Sequence, residues 1–148
     1  MALNKITFNK PHFTGNETKY IEEAVRSMKI SGDGMFTKKC HDFFEEKYGF
    51  HQCLLTTSCT DALEMAAILI NVKEGDEVIM PSYTFVSTAN AFVLRGAKII
   101  FVDSLPDHPN IDVSKIEALI SSKTKAIVPV HYGGLACDMD AIMSLADK

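Results

Sequence analysis

No apolar run in this chain approaches the ~20 residues that a membrane-spanning helix requires. The opening M-A-L-N-K-I-T-F-N-K also lacks the apolar centre of a secretory leader. Together these absences point to a globular, cytoplasmic protein. Cys40, Cys53, Cys59 and Cys137 form no C-x-x-C pair, so they read as reduced thiols rather than a disulfide framework or a zinc clamp. No G-x-G-x-x-G follows an apolar run and no G-K-[ST] occurs, which removes the dinucleotide fingerprint and the nucleotide P-loop. One-signed charge is scarce as well. With a formal net charge of −4 and its acids and bases interspersed, the chain has no basic stripe for nucleic acid. Repeats and low-complexity segments are missing too.

What the chain does have is 148 residues at 47% hydrophobic content, enough for one domain or most of one. It is organised around C-L-L-T-T-S-C-T-D-A-L-E-M-A-A-I-L-I, Cys53 to Ile70. The apolar half, Cys53 to Thr57, reads as a buried parallel strand reaching the edge of its sheet. Ser58 is the expected N-cap of a following helix, with Asp61 three residues on and Glu64 adding a second carboxylate near the positive end. Residues 62–70 leave almost no polar face, which predicts a helix buried on most sides. A strand turning through small hydroxylated residues into a helix presents several unpaired backbone N–H groups, as an anion requires. The plainer reading is an ordinary strand-to-helix turn with a good cap.

Around this centre the pattern alternates. Asn16 to Met28 predicts an amphipathic helix, Ser31-Gly32-Asp33-Gly34 a tight loop with positive φ, and Thr37 to Tyr48 a second helix stopped by Gly49. The stripe Cys40, Phe43, Phe44 and Tyr48 on that helix reads as core. Glu77 to Met80 predicts a strand halted by Pro81. Phe85 or Val86 to Arg95 then predicts a helix stopped by Gly96, and Lys98 to Val102 a further strand. Asp103 to Asn110 is a connection stiffened by Pro106 and Pro109. Asp112 or Ser114 caps a helix through Ile120, Lys125 to Val130 is the fourth strand, His131 to Asp138 a loop, and Met139 begins a last helix. Alternation of this kind implies an α/β fold, a mostly parallel sheet with helices on both faces and right-handed crossovers. The last helix stops at Lys148 without a Gly, Pro or polar cap, and four strands leave an open edge, so the chain reads as a fragment. Functional loops are expected at the carboxyl ends of the strands, at Thr57 to Asp61, Pro81 to Phe85, Asp103 to Asn110 and His131 to Asp138. Anion donors in the first and the flat faces of Tyr83 and Phe85 in the second suggest a phosphorylated aromatic cofactor.

Four segments in series, S-C-T-D-A-L-E-M-A (Ser58 to Ala66), G-D-E-V-I-M-P-S-Y-T-F-V-S-T-A-N-A (Gly75 to Ala91), G-A-K-I-I-F-V-D (Gly96 to Asp103) and P-V-H-Y-G-G (Pro129 to Gly134), resemble the DegT/DnrJ/EryC1/StrS nucleotide-sugar aminotransferases. S-G-D-G-M-F-T-K-K-C (Ser31 to Cys40) matches as well, so the resemblance spans essentially the whole chain. It implies the N-terminal part of the large domain of a pyridoxal-phosphate (PLP) transferase of fold type I. Residues 1–50 would be an N-terminal helical segment and 51–148 the first half of the α/β cofactor-binding domain. Within the family the pattern is most similar to enzymes that convert a dTDP-4-keto-6-deoxyhexose, with an amino-acid donor, to the 4-amino sugar used in lipopolysaccharide or enterobacterial common antigen. Homodimers with shared active sites are usual there.

By the same resemblance Ser58, Cys59 and Thr60 hold the cofactor phosphate, where Cys59 replaces the more common glycine, and Phe85 stacks on the pyridine ring. Tyr83 and His131, with the loop Ser31 to Phe36, border the sugar-nucleotide site. Asp61 is a helix-start carboxylate. The Schiff-base lysine and the aspartate at the pyridine nitrogen follow the P-V-H-Y-G-G strand and its helix in the family. Neither is expected within these residues, and the chain alone is expected not to transaminate. Two other classes remain open: a thiol enzyme with Cys59 as nucleophile and His131 as base, and a non-catalytic α/β binding module. His131 and Cys137 offer only two metal ligands, so no metal site is expected.

Overall fold

The computed structural model describes residue 7 and residues 9–148, so the N-terminal stretch read above for a leader lies largely outside the described residues. The chain divides into two compact units, Met1–Leu55 and Thr56–Lys148.

In the first unit, α1 (Glu17–Arg26) starts where the Glu17 carboxylate accepts the Thr14 N–H at 2.6 Å, the Thr14 hydroxyl at 2.9 Å and the Gly15 N–H at 3.0 Å. The acid thereby supplies the acceptors that the first turn lacks. Helix α2 (Met35–Tyr48) ends on Gly49 in the left-handed region, φ 68°, the geometry that favours glycine. In the preceding loop the positive φ of 59° falls on Asp33 and on neither glycine, since a short polar side chain also tolerates that region. The aromatic stripe expected in a core is not buried. No residue of α1 or α2 is, and the rings of Phe43, Phe44, Tyr48 and Phe50 pack chiefly on one another. Among the described residues of this unit none is buried.

The second unit contains α3 (Cys59–Leu69), β1 (Glu77–Pro81), α4 (Val86–Val93), β2 (Lys98–Val102), β3 (Thr124–Ile127) and α5 (Met139–Ala146). The strands are all parallel in the order β2-β1-β3, with Val78 level with Ile99 and Ala126. Alternation along the central strand splits the core between the two faces. Val78 and Met80 meet Ala67 of α3, Ala91 and Phe92 of α4, and Val72 and Ala97 of their connections. Ile79 meets Val102, Ile111, Ile116, Cys137 and Ile142 on the opposite face. The expected architecture, a parallel sheet with helices on both faces, is the one observed.

Four further expectations are corrected. Residues 53–57 form no strand, and Leu54 and Leu55 are exposed. A strand needs a hydrogen-bonded neighbour, and among the described residues no backbone hydrogen bond joins this segment to a strand. Helix α3 buries Ala67 alone, since only that side meets the sheet and α4, and Met65, Ile68, Leu69 and Ile70 face outward. The helix expected to follow Asp112 is instead a pair of 3-10 turns, Val113–Lys115 and Glu117–Leu119, closed by i→i+3 bonds and joined at the fully buried Ile116. The last expected strand is also shorter, although Val128 N–H still donates to Ile79 C=O at 2.8 Å. At its other end, α5 closes with the Asp147 N–H donating to Met143 C=O at 3.0 Å, and Lys148 reaches Glu117 at 2.7 Å.

Gly96 is the tightest point of the framework. It has φ +87°, and a Cβ there would stand 2.8 Å from Glu74 Cα. Its C=O accepts the Gly75 N–H at 3.1 Å, and Arg95 Nε donates to Val72 C=O at 3.1 Å. These bonds gather the C-terminal ends of α3 and α4 at the amino ends of the strands. Both helices therefore begin at the carboxyl end of the sheet.

Candidate functional site

At that carboxyl end the first element is the start of α3. Ser58, extended at φ −154° and ψ 162°, caps the helix by accepting the Asp61 N–H on Oγ at 3.1 Å. Its C=O accepts the Ala62 N–H at 3.3 Å. The Ser58 hydroxyl oxygen is thus committed to the helix. The Cys59 and Thr60 N–H groups have no hydrogen-bond partner among the described residues, so they remain as the donors at this positive helix end. Cys59 is exposed and Thr60 half-buried, with its hydroxyl beside them in sequence. Two open N–H groups and a hydroxyl suit a small anion. The Asp61 carboxylate, which accepts the Thr57 hydroxyl, occupies the same helix end and partly offsets its positive field.

The second element is the turn from β1 into α4. Phe85 is the N-cap residue of α4, with extended ψ of 147° and no side-chain cap bond, and its ring is 73% exposed. The turn is held behind it by the Thr84 and Thr88 hydroxyls at 2.8 Å and by the Thr88 N–H donating to Phe85 C=O at 3.0 Å. Tyr83 meets Tyr132, from the loop after β3, edge to face with centroids 5.0 Å apart and hydroxyls at 3.4 Å. That hydrogen bond, followed by the repulsion between the two phenols and by burial, raises the Tyr132 pKa. Ser82, Tyr83, Thr84, Phe85 and Tyr132 line a hollow of about 310 Å³. Tyr83 also walls an adjoining hollow of about 360 Å³ formed with residues 104–109, where Ser104 Oγ is buried without a hydrogen-bond partner among the described residues. A larger hollow of about 490 Å³ is lined by Ile111 and Cys137 of the other core, on the face away from α3 and α4.

The structure therefore brings Tyr83 and Phe85 into one hollow and places Ser58, Cys59 and Thr60 at the same end of the sheet, outside that hollow's lining. His131 does not line it. Its Nδ1 accepts the Cys137 N–H at 3.1 Å while the Cys137 thiol donates to Val130 C=O at 3.3 Å, so this pair closes the loop on itself. No hydrogen bond links Cys59 to His131 among the described residues, and no nucleophile-base pair is formed there. Two residues escaped sequence reasoning. Tyr132 is the aromatic that faces the hollow, turned by Gly133 and Gly134 at φ 62° and 83°, and its position inside H-Y-G-G was the available signal. Asn110, 3% exposed, accepts the Tyr132 N–H on Oδ1 and donates through Nδ2 to Leu135 C=O, both at 3.0 Å. Nothing in the local pattern marks it, because its partners are more than 20 residues away.

Comparison with known proteins adds an independent line. A model of the DegT/DnrJ/EryC1/StrS aminotransferase family matches residues 11–148. A GDP-perosamine synthase of Caulobacter vibrioides is 38% identical over 146 residues, which is 99% of this chain and 39% of that protein. The chain thus spans about two fifths of the length of the curated relatives it matches. Among solved structures, an aminotransferase from Psychrobacter cryohalolentis superposes with a TM-score of 0.86 at 32% identity, over 94% of this chain and 35% of that one. Spr1654 of Streptococcus pneumoniae, described as a sugar aminotransferase, superposes in its PLP-form with a TM-score of 0.83 at 29% identity, over 95% and 36% of the two chains.

Proposed function

The chain belongs to the DegT/DnrJ/EryC1/StrS aminotransferase family, and we propose that the protein it represents transfers an amino group to the keto carbon of a nucleotide-activated sugar with pyridoxal phosphate as cofactor. The observation that carries this reading is the presence, at one end of the sheet, of two helix N–H groups at Cys59 and Thr60 without partners among the described residues, together with the exposed aromatic residue Phe85. A phosphate and a flat pyridine ring are the two handles such a pair addresses. The cofactor, when bound, supplies an electron sink for the carbon that gains or loses nitrogen. This chain's residues orient it. Cys59 and Thr60 N–H hydrogen-bond the phosphate, the Thr60 hydroxyl adds a third donor, Ser58 fixes the helix end that presents them, and Phe85 covers one ring face.

The hollows on either side of Tyr83 then border the sugar nucleotide, with Tyr83 as the shared wall, Tyr132 walling the one beside Phe85, and His131 holding the loop rather than touching substrate. Two readings of the nucleotide stand. Sequence motifs favour a dTDP-4-keto-6-deoxyhexose, and relatives named GDP-perosamine synthase favour a GDP-linked sugar. A lysine and a carboxylate for the chemistry, a homodimeric assembly and a cytoplasmic location belong to the same proposal, as does the division at residue 50 between a helical segment and the cofactor-binding region. Among the described residues no helix is long and apolar enough to cross a membrane.

The test is binding. Pyridoxal phosphate titrated into the chain is expected to quench tyrosine emission saturably, and Thr60→Ala and Phe85→Ala each to weaken that binding about tenfold. No conversion of a dTDP- or GDP-4-keto sugar by these residues alone is expected. Equal affinity in both variants would remove the cofactor assignment from this corner, and turnover by the chain alone would overturn the view that the chemistry needs residues not found here.

A further inference from the structure

Two loops at the carboxyl end of the sheet come from different strands, and one buried amide joins them. The excursion after β2 is closed at its root. Asp112 N–H donates to Asp103 C=O and Leu105 N–H to Asn110 C=O, both at 2.9 Å, and Ser104 and Ile111 form an antiparallel bridge. Asn110 sits at that root, its own N–H donating to His108 Nδ1 at 3.1 Å, so its side chain is mounted on a fixed frame. From there the amide grips the loop after β3 at two points, Tyr132 N–H and Leu135 C=O. The turn between those points contains Gly133 and Gly134 at positive φ, and among the described residues its backbone takes no other hydrogen bond from outside the loop, the Tyr83 hydroxyl meeting only the Tyr132 side chain. Without the amide, the Tyr132 backbone would ride on a glycine-rich segment held by its own turn bonds and by Cys137 on His131 and Val130.

We propose that Asn110 is a positioning residue that sets Tyr132 against Tyr83 and thereby fixes the wall of the hollow beside Phe85. This deepens the cofactor reading and rests on it for its functional consequence, but not for its structural one. Because the amide is buried, both its donor and its acceptor must be satisfied, and an apolar replacement would leave Tyr132 N–H and Leu135 C=O without partners. The loop then relaxes to solvate them, and the edge-to-face contact of the two tyrosines opens.

The experiment compares Asn110→Leu, which removes both bonds, with Asn110→Asp, which keeps the shape and the acceptor for Tyr132 N–H. Helical content by circular dichroism establishes that each variant is folded. Tyrosinate absorbance is followed against pH, and the ionisation step belonging to Tyr132 is the one lost in Tyr132→Phe. In the parent chain that step lies above the ordinary tyrosine range because of Tyr83, and Tyr83→Phe brings it down. Asn110→Leu is expected to bring it down equally, and Asn110→Asp to leave it raised. The parallel pyridoxal phosphate titration is expected to show about tenfold weaker binding in Asn110→Leu alone. A folded Asn110→Leu chain whose Tyr132 step is unmoved overturns the proposal, as does an Asn110→Asp chain that loses the step as fully as Asn110→Leu. If the parent chain binds no pyridoxal phosphate while the tyrosine steps behave as described, the cofactor reading fails and the positioning role stands.

Discussion

Helices α3 and α4 begin at the same end of the same sheet and are both largely apolar, yet they are held in different ways. Helix α4, eight residues long, buries Thr88, Ala91 and Phe92 against β1 and the adjoining connections. Helix α3, eleven residues long and the more continuously apolar by sequence, buries Ala67 alone. One is fixed by packing, the other mainly by its cap and a single contact stripe. The difference shows that apolar content announces a need for cover without saying which surface provides it. It also means that the two halves of the candidate cofactor corner, Cys59 and Thr60 on α3 and Phe85 on α4, rest on unequal supports.

The comparison is broken most severely by core truncation. Phe92→Ala should lower unfolding stability by about 3–5 kcal/mol, whereas Ile68→Ala, on a side chain 58% exposed in α3, should cost roughly 0.5 kcal/mol. Urea midpoints for the two variants decide it, and similar losses would mean that α3 is covered in solution after all. Next in size is the crossing that gathers the two helix ends. Gly96→Ala combines positive φ with a Cβ 2.8 Å from Glu74 Cα, and a loss of about 3 kcal/mol is expected. Gly75→Ala, with similar φ of +88° but open space around it, should lose only about 1 kcal/mol. Smaller again is the cap. Ser58→Ala should cost about 1 kcal/mol and fray α3 specifically, seen as faster amide exchange at Asp61 and Ala62, while Phe85→Ala leaves α4 unfrayed because Phe85 makes no side-chain cap bond.

The smallest effect is electrostatic. Asp112 has its pKa lowered by the Ser114 hydroxyl, and Glu117 has its own lowered by the Lys148 hydrogen bond and charge. Both folded-state values lie below the unfolded ones. Their contributions are therefore present above the ordinary carboxylate range and are lost as pH falls through the lowered values. Glu117 is exposed and Asp112 half-buried beside solvent-exposed partners, so the change is slight. Lys148→Ala should flatten the acid limb of a stability-pH profile attributable to Glu117 and leave that of Asp112.

How far the sequence could be read followed the range of the interactions involved. The strand from Glu77, the helix from Val86 and the strand Lys98 to Val102 were legible because their periodicity and the stop at Gly96 are local, although β1 includes the Pro81 expected to halt it, and the Ser58 cap is written within four residues. Cys53 to Thr57 carries the composition of a strand, but composition does not supply the neighbour that a strand must bond to. The hydroxyls around Asp112 signalled a helix start, yet the fully buried Ile116 joins two short 3-10 turns instead. At the site, Phe85 and Tyr83 stood out as aromatics at a strand end. His131 stood out for its chemistry and is used to close its own loop, whereas the neighbouring Tyr132 reaches the hollow because an amide 22 positions earlier holds its backbone. Long-range polar bonds of this kind leave no periodic trace.

The central claim concerns the N–H groups of Cys59 and Thr60, and amide resonances read them directly. In a proton-nitrogen correlation spectrum, inorganic phosphate should shift the Cys59 and Thr60 signals saturably and few others. Pyridoxal phosphate should shift the same two together with the Tyr83 to Phe85 turn, at lower concentration. Saturable shifts confined to other residues, or none at Cys59 and Thr60 with either ligand, would contradict the assignment of this corner to a phosphorylated cofactor.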